Sequence, residues 1–173
     1  SRPPAPRAPV LVIDLAQGPW ELAGANITGG TLQVIGGDHT VTVSGSWVTG
    51  TETTLDGVTL NGDVHVQSPP SMQTYLRLKP SATINGDITV DDGSAMRVEA
   101  PRVLDNMTVH LVGGWPSNAA LEAWGTGQLT LGPGMTIDSA EGGVGRIGGV
   151  SEATILNQGL ISSDGSNEQL TFG

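Results

Sequence analysis

Two Asn-Gly-Asp triplets, Asn61-Gly62-Asp63 and Asn85-Gly86-Asp87, are the first places in this sequence where chemistry could be built. Carboxylates brought together by a repeat either splay into water, share a cation or divide acid and base roles between them. The plainer reading is structural, because Asn-Gly is a strong turn signal and the following Asp can simply face water. Asp91-Asp92-Gly93 is the only adjacent acid pair. It lacks the D-x-D-x-D-G frame or the glycine-rich nonapeptides that gather enough oxygens around calcium, so it reads as a surface turn. His39, His65 and His110 are the other side chains of a type that ligates metal or moves protons. The last two stand between apolar residues in strand-like runs, and no HExxH or GxSxG frame accompanies them. They are expected to be outward strand residues. No catalytic residue, metal site or cofactor is assigned.

The tryptophans are harder to set aside. Trp20, Trp47, Trp115 and Trp124 are the bulkiest side chains in a chain with only one Tyr and one Phe. Exposed indoles stack on sugar faces, whereas buried ones plug a core. Trp115 and Trp124 fall in the least repetitive stretch, and we take them as the candidate flanks of a glycan groove. The run Gly142-Gly143-Val144-Gly145-Arg146-Ile147-Gly148-Gly149 looks superficially like a dinucleotide loop. With no helix following it to face a phosphate, it reads instead as a loose turn leaving the domain.

The elements that must position these residues are short strands. In Thr40-Val41-Thr42-Val43, Val64-His65-Val66, Ile88-Thr89-Val90, Val109-His110-Leu111 and Leu129-Thr130-Leu131 apolar and polar residues alternate, which sends them to opposite faces. Val10–Leu15 forms a further expected strand. Between the strands lie turn pairs such as Gly36-Gly37, Asp56-Gly57 and Asp92-Gly93. The best helical candidate is Asn118–Trp124 (NAALEAW), where Ala, Leu and Glu follow a capping Asn. At barely two turns it is expected to give a short helical turn at most.

An internal repeat separates a stacked coil from an antiparallel sandwich. LDGVTLNGDVHVQ (Leu55–Gln67) aligns on KPSATINGDITVD (Lys79–Asp91) at a shift of 24 residues. LDGVTL (Leu55–Leu60) is echoed by LDNMTV (Leu104–Val109) at a shift of 49, about two repeats. This register makes Thr59, Thr83 and Thr108 equivalent, with looser copies at Asn26-Ile27-Thr28 and Met135-Thr136-Ile137. A period in the twenties built from strands and turns is that of a solenoid. The expected fold class is all-β: a parallel β-helix, or β-solenoid, of six or seven coils. Residues 1–9, SRPPAPRAP, read as a proline-rich linker or stalk end. Residues 10–173 form the solenoid, expected to continue past Phe172 because no polar cap follows.

Composition narrows function by exclusion. A net charge of −10, with six Arg and one Lys, disfavours nucleic acid and polybasic membrane contact. No window is apolar enough for a membrane helix, so no membrane insertion is expected. With no cysteine, disulfides and thiol chemistry are out, and a cysteine-free extracellular chain points to a bacterial source.

The phrases LDGVTLNGDVHV, GQLTLGPGMTI and ATILNQGLISSDGSNEQLTF, with the pattern from Gly24 to Phe172, resemble the coils of bacterial right-handed parallel β-helix surface proteins. These include autotransporter passengers, filamentous-haemagglutinin-type adhesins and pectin-lyase-like repeats. The resemblance implies a right-handed coil in a secreted or cell-surface rod, structural or adhesive and not an enzyme. Its partners would be a glycan or a host or cell-surface receptor. No catalytic residue carries over, because the clustered Asp and basic residues of the lyases have no counterpart here. Two alternatives stay open: a carbohydrate-active β-helix enzyme, and a subunit of a filament that self-associates end to end.

Overall fold

A computed structural model describes residues 8–45, 50–114, 118–139, 144–163 and 169–173. Of the expected linker, residues 1–7 lie outside the described residues. The described residues form an all-β solenoid of about six turns, and every strand pairing among them is parallel. Three sheets form its faces. The first holds β1 (Val10–Asp14), β4 (Thr31–Ile35), β7 (Thr59–Asn61) and β10 (Thr83–Asn85). The second stacks β2 (Glu21–Ala23), β5 (Thr40–Ser44), β8 (Asp63–Gln67), β11 (Ile88–Asp91), β13 (Thr108–Val112), β15 (Thr136–Ser139) and β17 (Leu160–Ser163). The third stacks β3 (Asn26–Thr28), β6 (Thr51–Asp56), β9 (Thr74–Leu78), β12 (Ser94–Leu104), β14 (Ala119–Leu131), β16 (Val144–Asn157) and β18 (Gln169–Phe172).

Each strand pairs with its counterpart one coil away, so alternation within a strand becomes a column along the stack. On the second sheet Val41, Val64, Ile88, Val109, Ile137 and Ile161 lie in one column. On the third, Thr53, Leu76, Met96, Leu121 and Ile147 do the same. The second to fifth members of each column are essentially sealed from solvent. Small β-branched and aliphatic residues fill the narrow cross-section, which leaves little need for aromatics in the core.

The two Asn-Gly-Asp triplets stack as the repeat requires, with Thr83 on Thr59 and Asn85 on Asn61. The Thr markers beyond them do not join this column. Thr28 belongs to the third sheet, and Thr108 and Thr136 pair with each other on the second. The true partner of Thr59 on the coil below is Thr31. For Thr108 and Thr136 the reason is a change in coil shape after β10. The first sheet ends there, and the following third-sheet strand lengthens to 11 residues. Arg102, in the second half of that strand, donates to the carbonyls of Lys79 and Ala82, so this half lies over the turn that led into β10. Ile88 consequently stacks on Val109 and not on residue 112, where a fixed 24-residue step would put it.

Two further expectations are corrected. Asn118–Trp124 forms no helical turn: Ala119 begins a 13-residue strand. Leu121 and Ala123 face the core while Glu122 and Trp124 face out, and ladders to β12 and β16 on both sides override helix propensity. The glycine run does not leave the solenoid either. Val144–Asn157 is a wall strand, and a Cβ on Gly145 would lie 2.5 Å from the Leu170 side chain and 2.9 Å from that of Leu111. Glycine there leaves room for the Leu170 and Leu111 side chains that pack against it. Gly142 and Gly143 lie outside the described residues.

Candidate functional site

The aspartates of the repeat do not simply face water. Asp63 Oδ1 accepts from the backbone N–H of Asp87 at 2.8 Å, and Asp87 Oδ1 from that of Thr108 at 3.3 Å. Asp92 and Asp105 accept from the N–H groups of Gly114 and Gly134 in the same way. Each carboxylate thus caps the turn of the next coil, which offsets the repulsion within the stack. The amides form a parallel ladder, with Asn85 Nδ2 donating to Asn61 Oδ1 at 2.7 Å and Asn61 Nδ2 to Gln33 Oε1 at 3.0 Å. Asp87→Ala should therefore cost about 1 kcal/mol, the usual net worth of one such bond. Urea denaturation against Asp87→Asn, which keeps an acceptor, measures it.

His65 and His110 stand on the outer face of the second sheet, in the column Thr42, His65, Thr89, His110, Asp138, Ser162. The spacing of 45 residues between His65 and His110 gave no sign of this alignment. His110 Nδ1 lies 2.7 Å from Asp138 Oδ1, and His65 Nε2 lies 2.8 Å from Asp91 Oδ2. Ser162 completes a Ser, His and Asp set in the wrong order: Asp138 sits between the other two. The serine is therefore two coils, ~10 Å, from the imidazole that would have to take its proton. Among the described residues no group of three or more His, Cys, Asp or Glu is placed to hold a metal. His39 is exposed at a turn with φ of 60°.

The densest chemistry lies on the outer face of the third sheet, where sequence reasoning placed only Trp124. Neighbouring outward columns carry Glu52, Tyr75, Ala95, Ala120 and Arg146, then Thr54, Arg77, Arg97 and Glu122, then Glu99 and Trp124. Arg97 is the hub. Its guanidinium is 3.4 Å from the Tyr75 ring centroid and 4.6 Å from that of Trp124, and it pairs with both Glu52 and Glu122. Arg77 joins Glu52 and Glu99, Lys79 also reaches Glu99, and Arg146 pairs with Glu122. Four of the chain's seven basic residues and its only tyrosine meet here. Burial alone would lower the Arg77 pKa, but hydrogen bonds to Glu52 and Glu99, and their charges, hold it above its ordinary value. Arg102 has carbonyl partners instead of carboxylates, and burial lowers its pKa.

A network of half-buried pairs is worth more than isolated surface ions, and the flat guanidinium both forks and stacks. Arg97→Ala should cost about 2 kcal/mol, and Arg97→Lys should restore less than half of it, because an ammonium cannot fork to two carboxylates while stacked. Thermal and urea denaturation of the two variants are the check.

Trp124 is thus engaged by two arginines, Arg77 lying 5.7 Å from its centroid. It does not line the groove on this sheet, and Trp115 lies outside the described residues. That groove, of about 430 Å³, opens beside Tyr75. Its floor is Ala95 and Ala120, and Met72, Gln73, Asn118, Glu122 and Arg146 are among its walls. No sequence signal marks it, since two alanines become a floor only once their strands are stacked. Comparison with family models, with curated proteins and with solved structures returned no match.

Proposed function

We propose that this chain is a non-catalytic structural or adhesive segment of an extracellular or cell-surface protein. The supporting observation is the division of labour between the two faces of each strand. Inward columns run apolar from coil to coil, while the outward carboxylates named above are held by guanidinium, imidazole or backbone N–H groups. Glycosidic cleavage needs two carboxylates convergent on one bond and free to exchange protons; Glu52, Glu99 and Glu122 are instead tied to arginines. The architecture is that of a β-helix repeat protein, and the reading places it with bacterial surface rods of the adhesin and autotransporter kind. Incubation with a panel of neutral and acidic polysaccharides should release no new reducing ends or unsaturated products. Turnover that disappears in Glu122→Gln would overturn this reading in favour of a carbohydrate-active enzyme.

The terminal coils favour a second reading, self-association end to end. Among the described residues β1 pairs with β4 alone and β18 with β16 alone. Val10 and Leu11 at one end, and Leu160 and Phe172 at the other, are all more than half exposed. A second copy placed head to tail would continue the sheets. Light scattering over a concentration series tests this: a mass that stays at 17.7 kDa would rule it out.

A further inference from the structure

We propose that the groove beside Tyr75 binds a neutral saccharide, through Gln73, Asn118, Glu122 and Arg146 over a floor of Ala95 and Ala120. The inference rests on the adhesive reading and supplies it with a ligand class and a place.

The groove arises from one column. Tyr75, Ala95, Ala120 and Arg146 follow one another on successive coils. Two small side chains between two large ones leave a depression about two strand spacings, or ~10 Å, across. The turn bearing Met72 and Gln73 walls one side, and Asn118 stands at the start of β14. Its volume of about 430 Å³ falls within the range of small-ligand sites.

Its hydrogen-bonding groups are incompletely used. Arg146 Nε has no partner among the described residues, although Nη2 of the same side chain holds Glu122. A polar atom left open in an otherwise paired surface marks a place where a ligand's group belongs.

The mixture of groups selects the ligand. Arg146 only donates, Glu122 only accepts, and the exposed amides of Gln73 and Asn118 do both. A sugar hydroxyl also donates and accepts at once, so a polyol can meet all four. Tyr75 adds an aromatic wall for the C–H face of a pyranose. An anionic ligand is disfavoured, because the Glu122 carboxylate lines the groove and the whole chain carries −10. An apolar ligand would strand the polar walls.

The test is a glycan array carrying neutral gluco-, manno- and galacto-oligosaccharides beside uronate- and sialate-containing ones. It is probed with the full chain, Ala120→Leu and Gln73→Ala, the melting temperature of each being measured in parallel. The chain should retain neutral oligosaccharides, and both variants should weaken that retention at least tenfold without a shift in melting temperature. Gln73 stands on an exposed turn, so its variant remains informative if leucine at 120 disturbs packing. Retention of acidic glycans alone, no retention of any glycan, or retention unchanged in Gln73→Ala would overturn the proposal. Those results leave the non-catalytic reading standing, since only polysaccharide turnover bears against that.

Discussion

Leu121→Ala should destabilise the fold by about 3–5 kcal/mol, the upper range for a leucine whose cavity cannot collapse. Leu121 is fully buried at the centre of the column formed by Leu76, Met96, Leu121 and Ile147. Its strand pairs along its length with β12 below and β16 above, so neither wall can move inward without breaking a ladder. Because each coil contacts mainly its neighbours, the damage should be local as well as global. Hydrogen exchange should show protection lost first in β12, β14 and β16, with β4 and β5 affected least. Urea denaturation gives the total. A loss below 1 kcal/mol would mean that the column is not packed as described.

Gly86→Ala is expected to be almost as severe, about 2–4 kcal/mol, for a different reason. A Cβ at this position would lie 2.3 Å from the Gly62 carbonyl oxygen and 2.7 Å from Asp63 Oδ1. The first is backbone, which cannot rotate away, so the two turns must separate and stretch the Asn61–Asn85 ladder with them. The effect is steric only: Gly57→Ala offers a contrast, since φ there is +66° but the nearest atom to an added Cβ is 3.6 Å away. That variant should lose only the ~1 kcal/mol of a left-handed non-glycine residue. Comparing the two melting temperatures separates close stacking from simple turn strain.

These residues also show what sequence could and could not reveal. The Asn-Gly-Asp repeat was legible because neither glycine has room for a Cβ, Gly62 against Val34 and Gly86 against the Gly62 carbonyl, and because Asn85 bonds Asn61 and Asp63 the Asp87 N–H one coil on. The echo at Leu104–Val109 misled. Turn chemistry recurred after the third face had changed its path, which put Thr108 beside Asp87 and not above Thr83. Asn118–Trp124 misled because Ala, Leu and Glu carry helix propensity, while the ladders that force extension come from strands distant in sequence. The network around Arg97 was invisible for a related reason. Glu52, Arg77, Arg97 and Glu122 have unequal spacings, and only the pairing register shows that they adjoin. Of the two tryptophans singled out, Trp124 does lie on the surface with the densest chemistry, though packed against arginines and not in the groove.

The register of the stack is the claim on which the columns, the network and the groove all depend, and the absence of native cysteine makes it directly testable. Parallel strands on adjacent coils hold opposed Cα atoms ~5 Å apart, within the reach of a disulfide. Thr59→Cys with Thr83→Cys, a directly opposed pair, should close on mild oxidation into an intrachain disulfide seen by mass spectrometry of the peptides. Thr83→Cys with Thr108→Cys should stay reduced under the same conditions. Closure of the second pair and not the first would contradict the stacking described here.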